Sequence, residues 1–214
     1  MKKILCLDIG NTHTHHGVLA GGVTLRGGKI ATADIDDAAT GVPALIARCG
    51  AECEIAGVSF CSVVPAATER LRAVLARTAF PVWHLRHDAC PGLGIHYPKP
   101  EEIGPDRLAN CIGAQTVCGA PAIVIDMGTA VTFDVLTNSG YEGGIIAPGL
   151  SIMTRYLHEQ TALLPALDPD ALLLPTGIGK STVDAMRLGC VVGFSGMIRE
   201  LLDTVLAELE KWGV

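Results

Sequence analysis

Two short segments place a carboxylate, a glycine and side-chain donors in the same order: Asp8-Ile9-Gly10-Asn11-Thr12 and Asp126-Met127-Gly128-Thr129. Each follows an apolar run that reads as a buried strand, so each carboxylate arrives at a strand end. The glycine lets the backbone turn sharply with no side chain in the way of close approach. Asn11, Thr12 and Thr129, together with backbone N–H groups, would then form a phosphate cradle on a hairpin bend instead of a helix N-terminus. The carboxylates would repel phosphate directly. They can hold Mg2+, directly or through its waters, and the metal can bridge to the phosphates. One such bend is a common turn; two, facing across a cleft, would grip a triphosphate.

Other chemistry-bearing residues have plainer readings. Gly177-Ile178-Gly179-Lys180-Ser181-Thr182 resembles the end of a P-loop, but that pattern needs glycine five residues before Gly179, where Leu174 stands. It reads as a helix start with Ser181 or Thr182 near the cap. In a strand, His13 and His15 would share one face and His16 the other; two histidines are too few for structural zinc, and loop or rim positions are the plainer reading. The eight cysteines (6, 49, 53, 61, 90, 111, 118 and 190) include no Cys-x-x-Cys pair. Cys6 and Cys61 sit in apolar runs, so buried thiols in a reducing compartment are expected.

These residues need elements to hold them. Apolar runs predict strands at Lys3–Ile9, His15–Ala20, Lys29–Ala33, Ile55–Ser62 and Val82–Leu85, with a turn at Gly21-Gly22. Helical spacing marks Val42–Cys49 and Ala66–Ala79. A stretch with four prolines, Cys90 to Pro105, reads as a loop or boundary before a helix over Pro105–Cys118. Strands are then expected at Ala122–Asp126, Ala130–Leu136 and Tyr141–Ala147, with a hairpin turn at Asn138-Ser139-Gly140. Helices follow at Ser151–Thr161 and Thr182–Trp212, the latter broken near Gly193–Gly196. The segment Asp8–Leu19 lies over Asp126–Leu136 with one gap, and both run strand, bend, strand. Chance matching of short apolar segments is the alternative; duplication accounts better for the shared order of three strands and a helix. The expectation is an α/β fold in two halves, 1–118 and 119–214.

Composition narrows the class. Hydrophobic residues at 49% and charged residues at 18% exclude a disordered chain, and aromatics at 4% leave the core to Ala, Val, Leu and Ile. A net charge of −6 argues against a nucleic-acid binder, which needs a basic face. No charge-free apolar stretch of about 18 residues occurs, so no membrane span is expected. The N-terminal apolar run is only four residues long before Asp8, which reads as a strand and not a signal peptide. The balance suits a soluble cytoplasmic enzyme.

Four segments in one order carry a resemblance: Asp8-Ile9-Gly10-Asn11-Thr12; Gly104-Pro105-Asp106-Arg107 with Asn110; Asp126-Met127-Gly128-Thr129 with Thr132 and Asp134; and Gly143-Gly-Ile-Ile-Ala-Pro-Gly149. Together they resemble type III pantothenate kinases, over nearly the whole chain. The resemblance implies the acetate and sugar kinase, Hsc70 and actin superfamily, with two ribonuclease-H-like halves around an ATP cleft. It implies ATP-dependent phosphorylation of pantothenate to 4′-phosphopantothenate, the first step of coenzyme A synthesis, in a homodimer. ATP contacts would fall on Asp8, Ile9, Gly10, Asn11, Thr12, His13, Thr14, His15 and Thr129. Asp126 matches the residue tied to a monovalent cation, K+ or NH4+. Pantothenate would be held by Tyr97, Gly104, Pro105, Asp106, Arg107 and Thr182, with Asp106 as general base.

The chemistry is consistent with those roles. An alcohol attacking a γ-phosphoryl group needs positioning and charge neutralisation more than strong deprotonation. A helix start and the neighbouring Arg107 both favour ionised Asp106, as a base requires; helix capping is its alternative. Arg107 could pair with the carboxylate of pantothenate or with phosphate. His158 and Arg155 could line the pocket or a dimer interface, while Tyr141 and Trp212 read as packing residues. Two departures stand out. Pro105 replaces the family's usual Ala, which a first helical turn tolerates. The family's further strand, Thr-Gly-Gly turn for adenosine and final helix have no counterpart before Val214, so the second half is expected to lack its last strand and helix, leaving Ala122–Asp126 short of a neighbour. The alternative functions are a weak or silent relative that binds a ligand in a regulatory role, and a kinase for another small hydroxy acid.

Overall fold

The computed structural model describes residues 2–52, 55–168, 172–173 and 176–214. Cys53 and Leu174, used above, lie outside them. The chain divides into two compact units, Met1–Leu93 with Pro98–Gly113, and Gly94–Tyr97 with Ala114–Val214.

The first unit is built on β1 (Lys3–Ile9), β2 (His13–Ala20), β3 (Val23–Ala31), β4 (Ile55–Ser62) and β5 (Val82–His84). Their order in the sheet is β3-β2-β1-β4-β5. The β1–β2 and β2–β3 pairs are antiparallel; β1–β4 and β4–β5 are parallel. This is the ribonuclease-H-like order. The parallel pairs need crossovers, supplied by α1 (Val42–Glu52) and α2 (Pro65–Leu75). Side-chain alternation along β1 buries Leu5, Leu7 and Ile9 and leaves Asp8 exposed. In α2 the buried residues Ala67, Thr68, Leu71 and Leu75 recur at helical spacing and form one apolar stripe. Ala67, Leu71 and Leu75 join Leu5, Ile9, Val58 and Phe60 in one core.

The second unit holds β6 (Ala122–Met127), β7 (Ala130–Thr137) and β8 (Gly140–Pro148), an antiparallel meander in the order β6-β7-β8. Among the described residues β6 pairs with β7 alone. Helices α4 (Leu150–Glu159) and α5 (Thr182–Trp212) follow and pack on each other. Val205 and Leu209 of α5 cover the sheet by packing with Val135, Ile123 and Ile145. Helix α3 (Pro105–Val117) belongs to the first unit through Gly113. It starts at Pro105, as a residue without an N–H to satisfy allows.

Several boundaries differ from expectation. β2 begins two residues early, at His13, and β3 starts at Val23 instead of Lys29. Arg26, Gly27 and Gly28 interrupt the apolar pattern of β3, yet the ladder to β2 supplies its backbone partners whatever the side chains. The Gly21-Gly22 turn has φ of 58° and 82°, values that glycine takes without strain. α5 is unbroken through Gly193 and Gly196. Glycine costs a helix about 1 kcal/mol but removes no hydrogen bond, and packing near both ends retains the helix. Trp212 is exposed, its indole N–H donating to Glu208 Oε1 at 3.1 Å, so it is not a core residue. Tyr141 is fully buried. Cys49, Cys61, Cys111 and Cys190 are buried, Cys6 and Cys90 are half-buried, and Cys118 is exposed. Among the described residues no helix is long and apolar enough to cross a membrane.

Leu71 has no exposed surface and anchors α2 on the sheet. Leu71→Ala is expected to destabilise the first unit by about 2–5 kcal/mol, the usual cost of an uncollapsed core cavity, measured as a shift in the urea unfolding midpoint.

Candidate active site

The first bend is assembled from its backbone outward. Gly10 N donates to His13 O at 3.1 Å and closes the turn between β1 and β2. Thr32, buried in a 3-10 turn at Thr32–Asp34, fastens it from one side. Its amide donates to Thr12 O at 3.0 Å and its hydroxyl to Gly10 O at 2.7 Å. The buried Thr14 hydroxyl lies 3.0 Å from the Thr32 hydroxyl. With the one Thr32 proton spent on Gly10, Thr14 is the donor in that pair. Arg70 of α2 completes the brace, donating to Thr32 O at 3.0 Å, Ala33 O at 2.8 Å and Asp36 Oδ1 at 2.8 Å. The backbone of Gly10–Thr12 is therefore held by Thr32, while the side chains of Asn11, Thr12, His13 and His15 remain exposed. Ile9 is buried, and its carbonyl accepts from Val63 N at 3.1 Å.

Asp8 and Asp106 come to one end of the first sheet by different routes. The parallel register sets Asp8 of β1 opposite Cys61 of β4. The buried Cys61 thiol donates to Asp8 Oδ1 at 3.3 Å. Asp106 lies in the first turn of α3, half-buried, with Oδ1 accepting from Arg107 N at 2.8 Å. A Cβ on Gly104 would run into that same Oδ1, so only glycine leaves the Asp106 carboxylate its place. Ile103 and Leu108 are buried on either side and pin the segment. Burial pushes the Cys61 thiol far above its ordinary pKa, and the Asp8 and then Asp106 carboxylates push it further. One thiol thus senses both carboxylates.

In the second unit the bend after Asp126 is closed by Gly128 N donating to Ala130 O at 3.0 Å and by Gly149 N donating to Thr129 O at 3.0 Å. The side chains of Asp126 and Thr129 are exposed. Asp134 is fully buried on β7 and accepts from Thr132 Oγ1 at 3.3 Å. Tyr97 lies over β8: its ring is 3.6 Å from where a Gly143 Cβ would stand and 6.2 Å from the Tyr141 ring. Thr182 is the exposed first residue of α5, capped by Ser181, whose hydroxyl oxygen accepts from Asp184 N at 3.1 Å. His158 Nδ1 is 2.7 Å from Leu164 O, and Arg155 pairs with Glu159 at 3.6 Å. The first unit therefore carries Asp8, the first bend, Gly104, Pro105, Asp106 and Arg107. The second carries Tyr97, Asp126, Thr129 and Thr182.

The exposed carboxylates of Asp8 and Asp126 at strand ends are hard oxygen donors of the kind that a metal cation or its waters can use. Among the described residues no three His, Cys, Asp or Glu side chains gather into a cage. The donor set fits a metal completed by phosphate oxygens and water, not one enclosed by protein. Cys61, Thr32 and Arg70 escaped the sequence reading because their importance lies in pairings across 18 to 53 positions of chain.

A family model described as type III pantothenate kinase matches residues 4–204. A type III pantothenate kinase of Akkermansia muciniphila is 46% identical over 162 residues, 72% of this chain and 64% of that one. One from Dehalococcoides mccartyi is 35% identical over 216 residues, 97% of this chain and 81% of that one. The chain thus spans just under two thirds of the first relative's length. Among solved structures, a Baf family transcriptional activator from Campylobacter jejuni superposes with a TM-score of 0.56 at 20% identity, covering 92% of this chain and 78% of that one. At that identity the likeness speaks for the fold.

Two outcomes test the site geometry. Thr32→Val removes the hydroxyl while leaving Gly10 O and Thr14 buried against a methyl group; a loss of about 1–3 kcal/mol is expected from the stranded polar groups, with Thr32→Ser retaining most of the stability in urea unfolding. Cys61 is expected to resist iodoacetamide at pH 8 in the native protein while exposed Cys118 is alkylated, and to react once unfolded, as read by peptide mass spectrometry.

Proposed function

The chain belongs to the type III pantothenate kinase family, and on that premise we propose that it transfers the γ-phosphoryl group of ATP to the primary hydroxyl of pantothenate. The products are ADP and 4′-phosphopantothenate, and the step opens coenzyme A synthesis. The observation that carries this reading is the placement of Asp8, bonded to the Cys61 thiol, and of Asp106, whose charge that thiol also feels, at one end of the first sheet. A carboxylate for the phosphate-bound metal and a carboxylate for the acceptor hydroxyl are the two charges that phosphoryl transfer requires of its protein.

Each residue then has a task. The braced Gly10–Thr12 backbone takes phosphate oxygens, and its fixed shape means little reorganisation at the moment of transfer. Asp8 orients Mg2+ directly or through water, and Asp126 takes K+ or NH4+. ATP supplies the phosphoryl group, and a metal held at Asp8 would neutralise charge on it. Asp106 accepts the hydrogen bond of the hydroxyl, and then its proton, as the new O–P bond forms and the bond to the β-phosphate oxygen breaks. The Arg107 amide, bonded to Asp106 Oδ1 at 2.8 Å, holds the carboxylate in one rotamer. Arg107, Tyr97 and Thr182 bind the acid. The same reading has the enzyme work in the cytoplasm as a homodimer.

A coupled ADP-release assay tests the proposal. Turnover is expected with pantothenate, rising when K+ or NH4+ replaces Na+. Asp106→Asn should lower kcat by at least about a hundredfold, the lower range of a general base's contribution, while nucleotide binding measured by calorimetry stays within a few fold. No pantothenate-dependent ADP release from the wild-type protein would reject the activity; unchanged turnover in Asp106→Asn would reject the base.

A further inference from the structure

A second group of donors in the first unit has no part in that chemistry. A cavity of about 340 Å3 opens where the parallel strands β4 and β5 end, lined among others by Ser62, Thr68, Arg72, His84, Arg86 and Pro105. The mouth of a parallel sheet beyond its strand ends is a common ligand position. His84, the last residue of β5, is fixed there: its ring stacks on Phe60 with centroids 4.2 Å apart and planes at 13°. Arg72 Nη2 lies 3.3 Å from His84 Nδ1. A guanidinium can only donate, so Nδ1 accepts and the neutral ring carries its proton on Nε2. The wall therefore carries two guanidiniums and an imidazole N–H, with the Glu69 carboxylate beside Arg72 as the one acid among its described residues.

We propose that this cavity is a binding site for a small oxyanion, phosphate or carboxylate, held between Arg72 and Arg86 with His84 as a third donor. The arginines have partners at present, Arg72 with Glu69 at 3.2 Å and Arg86 with Asp88 at 2.8 Å. These carboxylates are more than half exposed, and ion pairs in water are weak enough for another anion to displace. The environment of His84 agrees with an electropositive wall. Burial first, then Arg72 and Arg86, lower its pKa from the ordinary value, and Asp88 only partly opposes them. The Ser62 and Thr68 hydroxyls bond each other at 2.8 Å, and both reach Val64 O. They shape the floor without competing for the arginines.

Of the residues assigned above to pantothenate the cavity shares only Pro105, and its test reads anion binding alone, so its failure would leave the kinase assignment standing. The His84 Cε1–H resonance, assigned by its loss in His84→Gln, is followed by NMR while inorganic phosphate, or separately acetate, is added at constant ionic strength against chloride. A saturable shift is expected with at least one of the two anions at concentrations where chloride has no effect. Arg86→Gln, a change at a half-exposed side chain that should leave the fold intact, is expected to weaken it at least tenfold. Saturation by phosphate alone assigns a phosphoryl ligand; saturation by acetate assigns a carboxylate. A shift that chloride reproduces, no saturation with either anion, or unchanged saturation in Arg86→Gln would overturn the proposal.

Discussion

The parallel ladder between β1 and β4 is the constraint on which the first unit turns. In that register Asp8 stands beside Cys61, and the backbone beyond each strand is committed at the same level, with Val63 N bonded to Ile9 O. A slip of one residue would turn Asp8 into the core and Leu7 or Ile9 out of it. The burial of Leu5, Leu7 and Ile9 thus enforces the register that exposes the carboxylate. Stability and chemistry here are two readings of one alternation.

Around that ladder the polar groups divide into those that hold and those that are held. Thr14, Thr32 and Arg70 spend their donors on the bend and its flank. Asn11, Thr12 and His13 are left at the surface, where a ligand can meet them. The bend after Asp126 is fastened more simply, by backbone bonds from Gly128 and Gly149. Similar Asp-x-Gly strings are therefore stabilised by different means, one by a buried hydroxyl network and the other by the returning end of β8.

The legible part of this molecule was the part governed by short-range pattern. Apolar runs marked β1 and β7, helical spacing marked α2, and the Asp-x-Gly strings marked both bends. β3 was misjudged because Arg26-Gly27-Gly28 has no strand-like pattern, although the β2 ladder does not require one. The break expected in α5 was wrong because glycine lowers helix preference without removing a hydrogen bond. Cys61 looked like an ordinary core thiol, and nothing local to it tells of an aspartate 53 positions away. Thr32 and Arg70 were invisible for the same reason. Tyr97, Gly104, Asp106 and Arg107 were singled out through resemblance to a family, and the close fit of Gly104 to the Asp106 carboxylate adds a steric reason for that glycine.

At Gly94 and Gly140 the chain crosses itself so closely that neither residue has room for a Cβ: at Gly140 the obstacle is the backbone of Gly94, and at Gly94 it is the backbone of Ser139. Tyr141 N donates to Gly94 O, and His96 N donates to Tyr141 O, each at 2.8 Å, on either side of the crossing. A crowded side chain can be trimmed by a second mutation elsewhere, whereas crowded main chain offers nothing to trim. A side chain at either glycine would therefore have to push main chain aside, and with it the junction that carries Tyr97 to β8.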